Sequence, residues 1–562
     1  MYAFAMNMRI FLLSLLLSLT AISSSALEPA ATAATAEASL SGMVVKDPGG
    51  EPLKRVLVQV VSEDQQNRNY TGLTGGDGHF AIGDIEPGRY RVFLEKTGFL
   101  EANNRHWRSA GEAISLNAGQ QVNEFMLHMM AAAAISGRVV DEDGDPVANV
   151  EVAALRNGYV NGQRQLSPER SEHSNDRGEY RIAGLAPGHY YLVAAASPEF
   201  FSRGQKEFSD PAKPGLGYVP TYYPGVVDSS QAAALELHSG DEMPINFTLI
   251  AVDTFHVRGT ALDLPDRRGI AAGDSQAAVM LFSKRLGTML SAAEVDKQGR
   301  FDIAGVAPGS YVLTFTTADP ETPNLGRQTV EVNNADVNGI RIVPMSLGKI
   351  QGRARVETGA AEDLKRLTVV LQAIDDDAYG VMSGLAEADW GRIKEDGSFE
   401  LKNVPAGNYW LSVRGAAHDG RDYYVEKILM SGRNASDTPL TVSGGTLNVD
   451  LVLSLGTGSV KGTVVDGKSE PVKQATVVAL PEKQKRGRHD LYYIVQSDQY
   501  GRFILHGLRP GRYTLLSWDD VEDGAYFDPD FINVYEPQGK MVEITPHLVE
   551  QVALPVQSGN RE

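Results

Sequence analysis

Cysteine is absent from all 562 residues, which excludes disulfides, thiolate metal sites and a lipid carried on a cysteine thiol. Basic charge is in deficit: 52 Lys and Arg stand against 71 Asp and Glu, a formal charge of −19. Such a balance argues against nucleic acid or anionic membrane surfaces as partners. Beyond residue 19 no run is long and apolar enough to cross a bilayer as a helix. Catalytic signatures are missing as well. There is no Gly-x-Ser-x-Gly elbow and no phosphate loop. The one His-x-x-Glu pair, His547 and Glu550, lies in a strand-like tail without the large α/β domain a zinc peptidase needs. The reading is a noncatalytic protein without a cofactor.

At the N-terminus, Arg9 precedes the apolar run "IFLLSLLLSL", followed by small residues at Ser24 and Ala26. That pattern is a secretory signal peptide over residues 1–26, cut after Ala26, and predicts a secreted or periplasmic protein. Removing residues 1–26, whose only charge is the +1 of Arg9, takes the chain from −19 to −20. Residues 27–38 form an Ala/Thr-rich leader.

A motif then recurs five times: "DGHFAIGDIEPGRY", "RGEYRIAGLAPGHY", "QGRFDIAGVAPGSY", "DGSFELKNVPAGNY" and "YGRFILHGLRPGRY". In every copy a glycine and a tyrosine stand twelve residues apart: Gly78/Tyr90, Gly178/Tyr190, Gly299/Tyr311, Gly397/Tyr409 and Gly501/Tyr513. The aromatic after the glycine (Phe80, Tyr180, Phe301, Phe399, Phe503) and the aliphatic residue two later have the period-two spacing of buried strand positions. The residue between glycine and aromatic varies freely: His79, Glu179, Arg300, Ser398, Arg502. No reacting group recurs, so the motif is a folding device. Upstream of each copy lies a strand containing a glycine, and downstream an alternating strand such as "FMLHMM". The expectation is an all-β tandem array of five antiparallel, seven-stranded Greek-key β-sandwiches over residues 39–131, 132–253, 254–347, 348–456 and 457–558. Short connections predict a semi-rigid rod.

The stretch "SGRVVDEDGDPVANVEV…NDRGEYRIAGLAPGHYYL" resembles the carboxypeptidase regulatory-like domain, and "YVPTYYPGVVDSSQAAALELHSGDEMPINFTL" and "SWDDVEDGAYFDPDFINVYEPQGKMVEI" resemble segments of multi-repeat exported acidobacterial proteins. The resemblance implies a transthyretin-like or carbohydrate-binding-like sandwich that accompanies peptidases, outer-membrane receptors and surface proteins without catalysing anything itself. The motif tyrosine resembles a tyrosine corner, whose hydroxyl ties down upstream backbone.

Candidate contact residues are aromatics after the tyrosine strand: Trp107, Tyr222, Tyr223, Tyr423, Tyr424, Trp518 and Tyr526. Rings on loops stack on sugars or fill a protein partner's pockets; alternatively they pack against a neighbouring sandwich. "DEDGD" offers Asp141, Asp143 and Asp145 as a calcium candidate, but it lacks a downstream bidentate glutamate and falls where a hairpin turn is expected. The leading function is a secreted binding or scaffold protein of the bacterial envelope or exterior, with protein or glycan partners. The alternatives are a carbohydrate-binding protein for environmental or envelope glycans, and an accessory subunit of an exported peptidase or outer-membrane receptor system.

Overall fold

The computed structural model describes residues 36–63, 68–102, 111–160, 162–196, 216–261, 277–284, 289–296, 298–317, 325–343, 345–358, 360–374, 391–415 and 422–559. Residues 1–26, where a signal peptide is expected, and 27–35 of the expected leader lie outside these residues.

Alternating strands pair into sheets that face each other over buried aliphatic cores. In the first sandwich one sheet runs His79–Ile85, Ala38–Lys46, Gln121–Ala131, Phe99–Glu101, and the other Asn69–Leu73, Leu57–Ser62, Gly88–Glu95, Glu112–Leu116. Leu40, Val44, Val58, Val60, Phe80, Ile82, Tyr90, Ile114 and Leu127 fill the space between. The same plan recurs down the chain, ending with Arg502–Leu508, Gly458–Val465 and Val549–Pro555 opposite Tyr493–Gln496, Thr476–Pro481, Gly511–Trp518 and Lys540–Ile544.

One pairing departs from the antiparallel expectation. The first strand of each sandwich runs parallel to its last: Ala38–Lys46 with Gln121–Ala131, Ala133–Val140 with Phe247–Thr248, Phe255–Ala261 with Val337–Ile342, Leu347–Val356 with Asp450–Ser454, and Gly458–Val465 with Val549–Pro555. Here lies the reason for the glycine in each opening strand. A Cβ on Gly42, Gly137, Gly259, Gly352 or Gly462 would sit 1.9, 1.6, 2.3, 1.7 or 2.4 Å from the carbonyl oxygen of Phe125, Ile245, Ile340, Val449 or Val552. The two backbones approach so closely that only a hydrogen fits.

The motif glycines serve the turn. Gly78, Gly178, Gly299, Gly397 and Gly501 all have φ between 71° and 80°. Side chains brace that turn in two ways. Asn175, Asp296 and Asp498, three residues before the glycine, each accept two backbone N–H groups; Asp77 and Asp396, one residue before it, accept from His79 and Ser398. The tyrosine hydroxyls donate to the carbonyl four residues back: Tyr90 to Glu86 (2.6 Å), Tyr190 to Ala186 (2.9 Å), Tyr311 to Ala307 (2.7 Å) and Tyr409 to Pro405 (2.8 Å). The Tyr513 ring is buried edge-on to Tyr493 at 5.9 Å, and Tyr493 Oη accepts the Arg509 N–H. Burial pushes the Tyr90 and Tyr311 phenols up to about 12.

Substituting Gly137→Ala forces the Ile245 carbonyl aside and should cost at least about 2 kcal/mol of unfolding free energy. Gly467→Ala, with nothing within 4 Å of the added carbon, should stay within about 0.5 kcal/mol of wild type. Denaturant melts of the two variants check the contrast.

Candidate functional site

Most sandwich sheets are buried on one face, but the fifth, like the second, has a sheet with buried clusters on both. Val477, Ala479 and Leu515 point into its core, while Val478, Leu480, Leu516 and Trp518 point outward beneath a second apolar cluster. The cover is built from residues 519–539. Asp528 caps a short helix, Pro529–Tyr535, by accepting the Asp530 N–H, and proline opens the helix where no N–H is needed. This helix lays Phe531 and Tyr535 on Trp518, with ring centroids at 6.0 and 5.6 Å. Phe527 stacks on His489 at 4.2 Å, and burial pushes the His489 imidazole below its ordinary value.

Among the described residues, three other sandwiches touch this one. From the second, the hairpin Val150–Val160 and Gln163–His173 reaches over the cap, placing Tyr159 against Phe531 at 6.4 Å. A Cβ on Gly162 would meet the Phe527 carbonyl oxygen at 2.8 Å. From the fourth, Trp410 lies under the Arg488 guanidinium, 5.0 Å from ring centroid to Cζ. Arg488 is buried, pairs with Asp490 and donates to the Ser436 carbonyl, while Gln372 accepts the His489 N–H.

From the first, the edge strand Glu112–Leu116 is capped by a side chain. Gln499 accepts the Ser115 N–H (2.9 Å) and donates to the Ser115 carbonyl (2.8 Å), taking the place of a neighbouring strand. Arg91 donates to Gln496 (2.7 Å) and Gln120 to the Tyr500 hydroxyl (2.9 Å). Glu112 is buried beside this contact; its Oε1 accepts no hydrogen bond, and Lys473 Nζ stands 3.6 Å away. Loss of hydration pushes the Glu112 carboxyl above its ordinary value, opposed by Lys473, Gln474 and His128. The rod expectation is therefore corrected. In a rod only consecutive units touch, whereas here the chain doubles back until its last sandwich meets its first.

The candidate aromatics do not form one exposed platform. Trp518 (0%), Tyr222 (1%), Tyr423 (4%) and Tyr526 (7%) are buried, in three separate places. Tyr222 packs on Ala153, Leu155 and Val193 outside the second core, and Tyr223 is half-buried against that core. The Tyr423 hydroxyl accepts the Ala360 N–H and donates to buried Asp363. Tyr424 is half-buried, its phenol pushed up by loss of hydration. Ligand stacking needs an open ring face, and burial removes it at Trp518, Tyr222, Tyr423 and Tyr526. Trp107 lies outside the described residues. In "DEDGD", Asp141 Oδ1 accepts the Asp143 and Asp145 N–H groups, which is hairpin-turn geometry. Among the described residues no group of three or more His, Asp or Glu could hold a metal ion.

Truncating Trp518 to alanine should cost about 3–5 kcal/mol, as for other large buried rings. Trp518→Phe should cost far less, because the indole Nε1 has no acceptor to lose. Thermal melts separate the two. The Glu112 linkage has the sign of a raised acid: its favourable contribution is complete below the ordinary glutamate range near about 4.3 and disappears as pH rises through the raised folded value. Glu112→Gln should flatten that part of the stability–pH profile and strengthen the contact at neutral pH.

The chain is similar, at low overall superposition, to several solved structures. The Bacillus anthracis TIE protein matches at 15% identity and a TM-score of 0.16, covering 55% of this chain; this chain spans about half, 51%, of that protein's length. The minor pilin GBS52 of Streptococcus agalactiae matches at 13% identity and 0.21, over 41% of this chain and 100% of its own. BcpA, the major pilin subunit of Bacillus cereus, matches at 10% and 0.14, over 76% and 100%. No curated protein matches the chain. At the level of sequence family, residues 39–124 and 134–208 match the carboxypeptidase regulatory-like domain.

Proposed function

We propose that the chain is an exported, noncatalytic scaffold of five sandwich modules, with residues 1–26 as a cleaved signal peptide and 27–38 as a leader. The modules span 39–131, 132–253, 254–347, 348–456 and 457–558. The fifth is the hub on which the first, second and fourth are assembled, and protein partners dock on the assembled surface. One observation carries the reading: the aromatic, arginine and glutamine side chains of residues 486–535 are spent on contacts within the chain. Trp518 and Tyr526 lie in the apolar cluster that Tyr159 of the second module joins, while Tyr222 and Tyr423 brace the second and fourth modules from within. The family match supports a noncatalytic role, since the regulatory-like domain is not itself an enzyme.

Small-angle scattering tests the assembly. Wild type should be compact, and an Arg91→Ala/Lys473→Ala/Gln499→Ala variant should show a larger radius of gyration with little change in each module's own melting. Equal, rod-like dimensions for both proteins would overturn the hub. Specific retention on insoluble polysaccharides, lost in a Tyr222/Trp518 alanine variant that melts like wild type, would put carbohydrate binding in its place.

A further inference from the structure

The fifth sandwich is described without a gap from residue 457 to 559, so the course of its chain is known throughout. In the first, second and fourth sandwiches, the segment after the tyrosine strand sends a strand along the outer side of the last one. The fifth spends that segment differently: residues 519–539 form the cap, and Lys540–Ile544 extends the opposite sheet. Its last strand, Val549–Pro555, therefore ends a sheet in the order Arg502–Leu508, Gly458–Val465, Val549–Pro555. The Ser459 N–H donates to the Leu548 carbonyl and the Val556 N–H to the Val465 carbonyl, which sets the alternation. Glu550, Val552 and Leu554 turn their main-chain groups inward, while Val549, Gln551 and Ala553 turn theirs outward. Among the described residues nothing bonds to those outward groups. Farther along, the Pro555 carbonyl accepts the Ser517 hydroxyl, and Gln557 bonds to the Ser517 carbonyl and the Asp519 N–H. The open stretch is Val549–Ala553.

This edge lacks the devices that blunt the others. Bulges, breaks and charges keep sheet edges from pairing. The last strand bulges in the first and third sandwiches, at Glu124 (φ 59°) and Gly339 (φ 76°). It is broken in the second, into Glu242–Pro244 and Phe247–Thr248, and in the fourth, into Gly445–Asn448 and Asp450–Ser454. Aligned on the glycine of the opening strand, the position of Ala553 holds Arg341 in the third and Asp450 in the fourth. In the fifth the register runs unbroken from Ser459 opposite Val549 to Val465 opposite Pro555. Its outward residues Val549, Gln551 and Ala553 are exposed and uncharged, whereas the far edge of the same sheet exposes Arg502 and His506.

The stretch is also complementary to itself. Turned about Gln551 and laid antiparallel, it sets Val549 opposite Ala553 of the copy and Gln551 opposite its own equivalent. Glu550 then falls opposite Val552, so no two like charges stand directly across the pairing. Each outward pair exchanges two N–H···O bonds, about six in all.

We infer that the last strand of the fifth sandwich pairs antiparallel with the same strand of a second copy of this chain, across a two-fold axis at Gln551. Two three-stranded sheets become one continuous sheet, and the contact closes at two copies because both use the same patch. Both copies carry the same net negative charge, so association should tighten as salt rises toward about 0.15 M, where charges beyond about 8 Å are screened. The inference goes beyond the scaffold reading. Val549–Ala553 makes none of the hub contacts, so the two readings stand or fall separately.

The test uses the mature full-length chain. Sedimentation over a concentration series should show monomer and dimer in exchange, with no larger species. Gln551→Lys and Gln551→Glu should each weaken dimerisation about tenfold or more at unchanged melting temperature, because like charges then meet across the axis. An equal mixture of the two variants should regain wild-type affinity or better. Since the chain has no cysteine, Gln551→Cys carries its only thiol. Bond-exchanging antiparallel partners stand about 5.5 Å apart at Cα, within disulfide reach, so mild oxidation should link this variant in pairs. Gly467→Cys, in an open turn, should stay unlinked. Three results each overturn the inference: no association up to about 1 mM protein, a mixture no tighter than either charge variant alone, or equal linking of the two cysteine variants. If a charge variant fails to fold, the oxidation result decides.

Discussion

Each sandwich depends on two backbones touching. The first and last strands run side by side so closely that a carbonyl oxygen occupies the space of a Cβ, and glycine is the residue that permits it. This parallel pairing ties the start of a module to its end. The left-handed glycine turn, the tyrosine that reaches back four residues and the alternating core all hang on the sheet it closes. The same pairing leaves the outer edge of the last strand as the place where modules differ. Among the described residues a three-residue strand pairs with it in the first, a seven-residue strand in the fourth, and a four-residue strand in the second.

The fifth module shows how an array becomes an assembly. A sheet with apolar residues on both faces must be covered twice. Its own core covers one face of Thr476–Pro481, and residues 519–539 with the hairpin of the second module cover the other. Polar groups then fix orientation. The Gln499 amide reads the Ser115 backbone as a strand would, and Arg488 satisfies a carbonyl, a carboxylate and an indole face at once. Edge capping by a side chain also blocks the open Glu112–Leu116 strand from pairing with other molecules.

Much of this was legible in residues. Period-two alternation placed the strands, the twelve-residue spacing placed the turn and corner, and the tyrosine hydroxyl bonds fall where the corner predicts in Tyr90, Tyr190, Tyr311 and Tyr409. A further column recurs in three of the copies. Thr74, Ser174 and Ser497 stand four residues before the motif glycine, each accepting one backbone N–H and donating to a carbonyl of the preceding hairpin. They accompany Pro52, Pro146 and Pro471, which bridge that hairpin, while Val295 and Ile393 replace them where the proline turn is missing. The buried state of Trp518 and Tyr222 was not legible. A ring at the end of a strand has the same local sequence whether solvent or a helix covers it.

The sequence by itself determined the module: strand alternation, glycine at the positions that admit no side chain, aspartate and asparagine at the turns. These are local demands of sterics and hydrogen bonding, satisfied within about 100 residues of chain. Only the tertiary structure decided what the modules do to one another. The meeting of Gln499 with Ser115, of Tyr159 with Phe531 and of Arg488 with Trp410 depends on rigid units brought together across as many as 384 positions of chain, a separation no local pattern records.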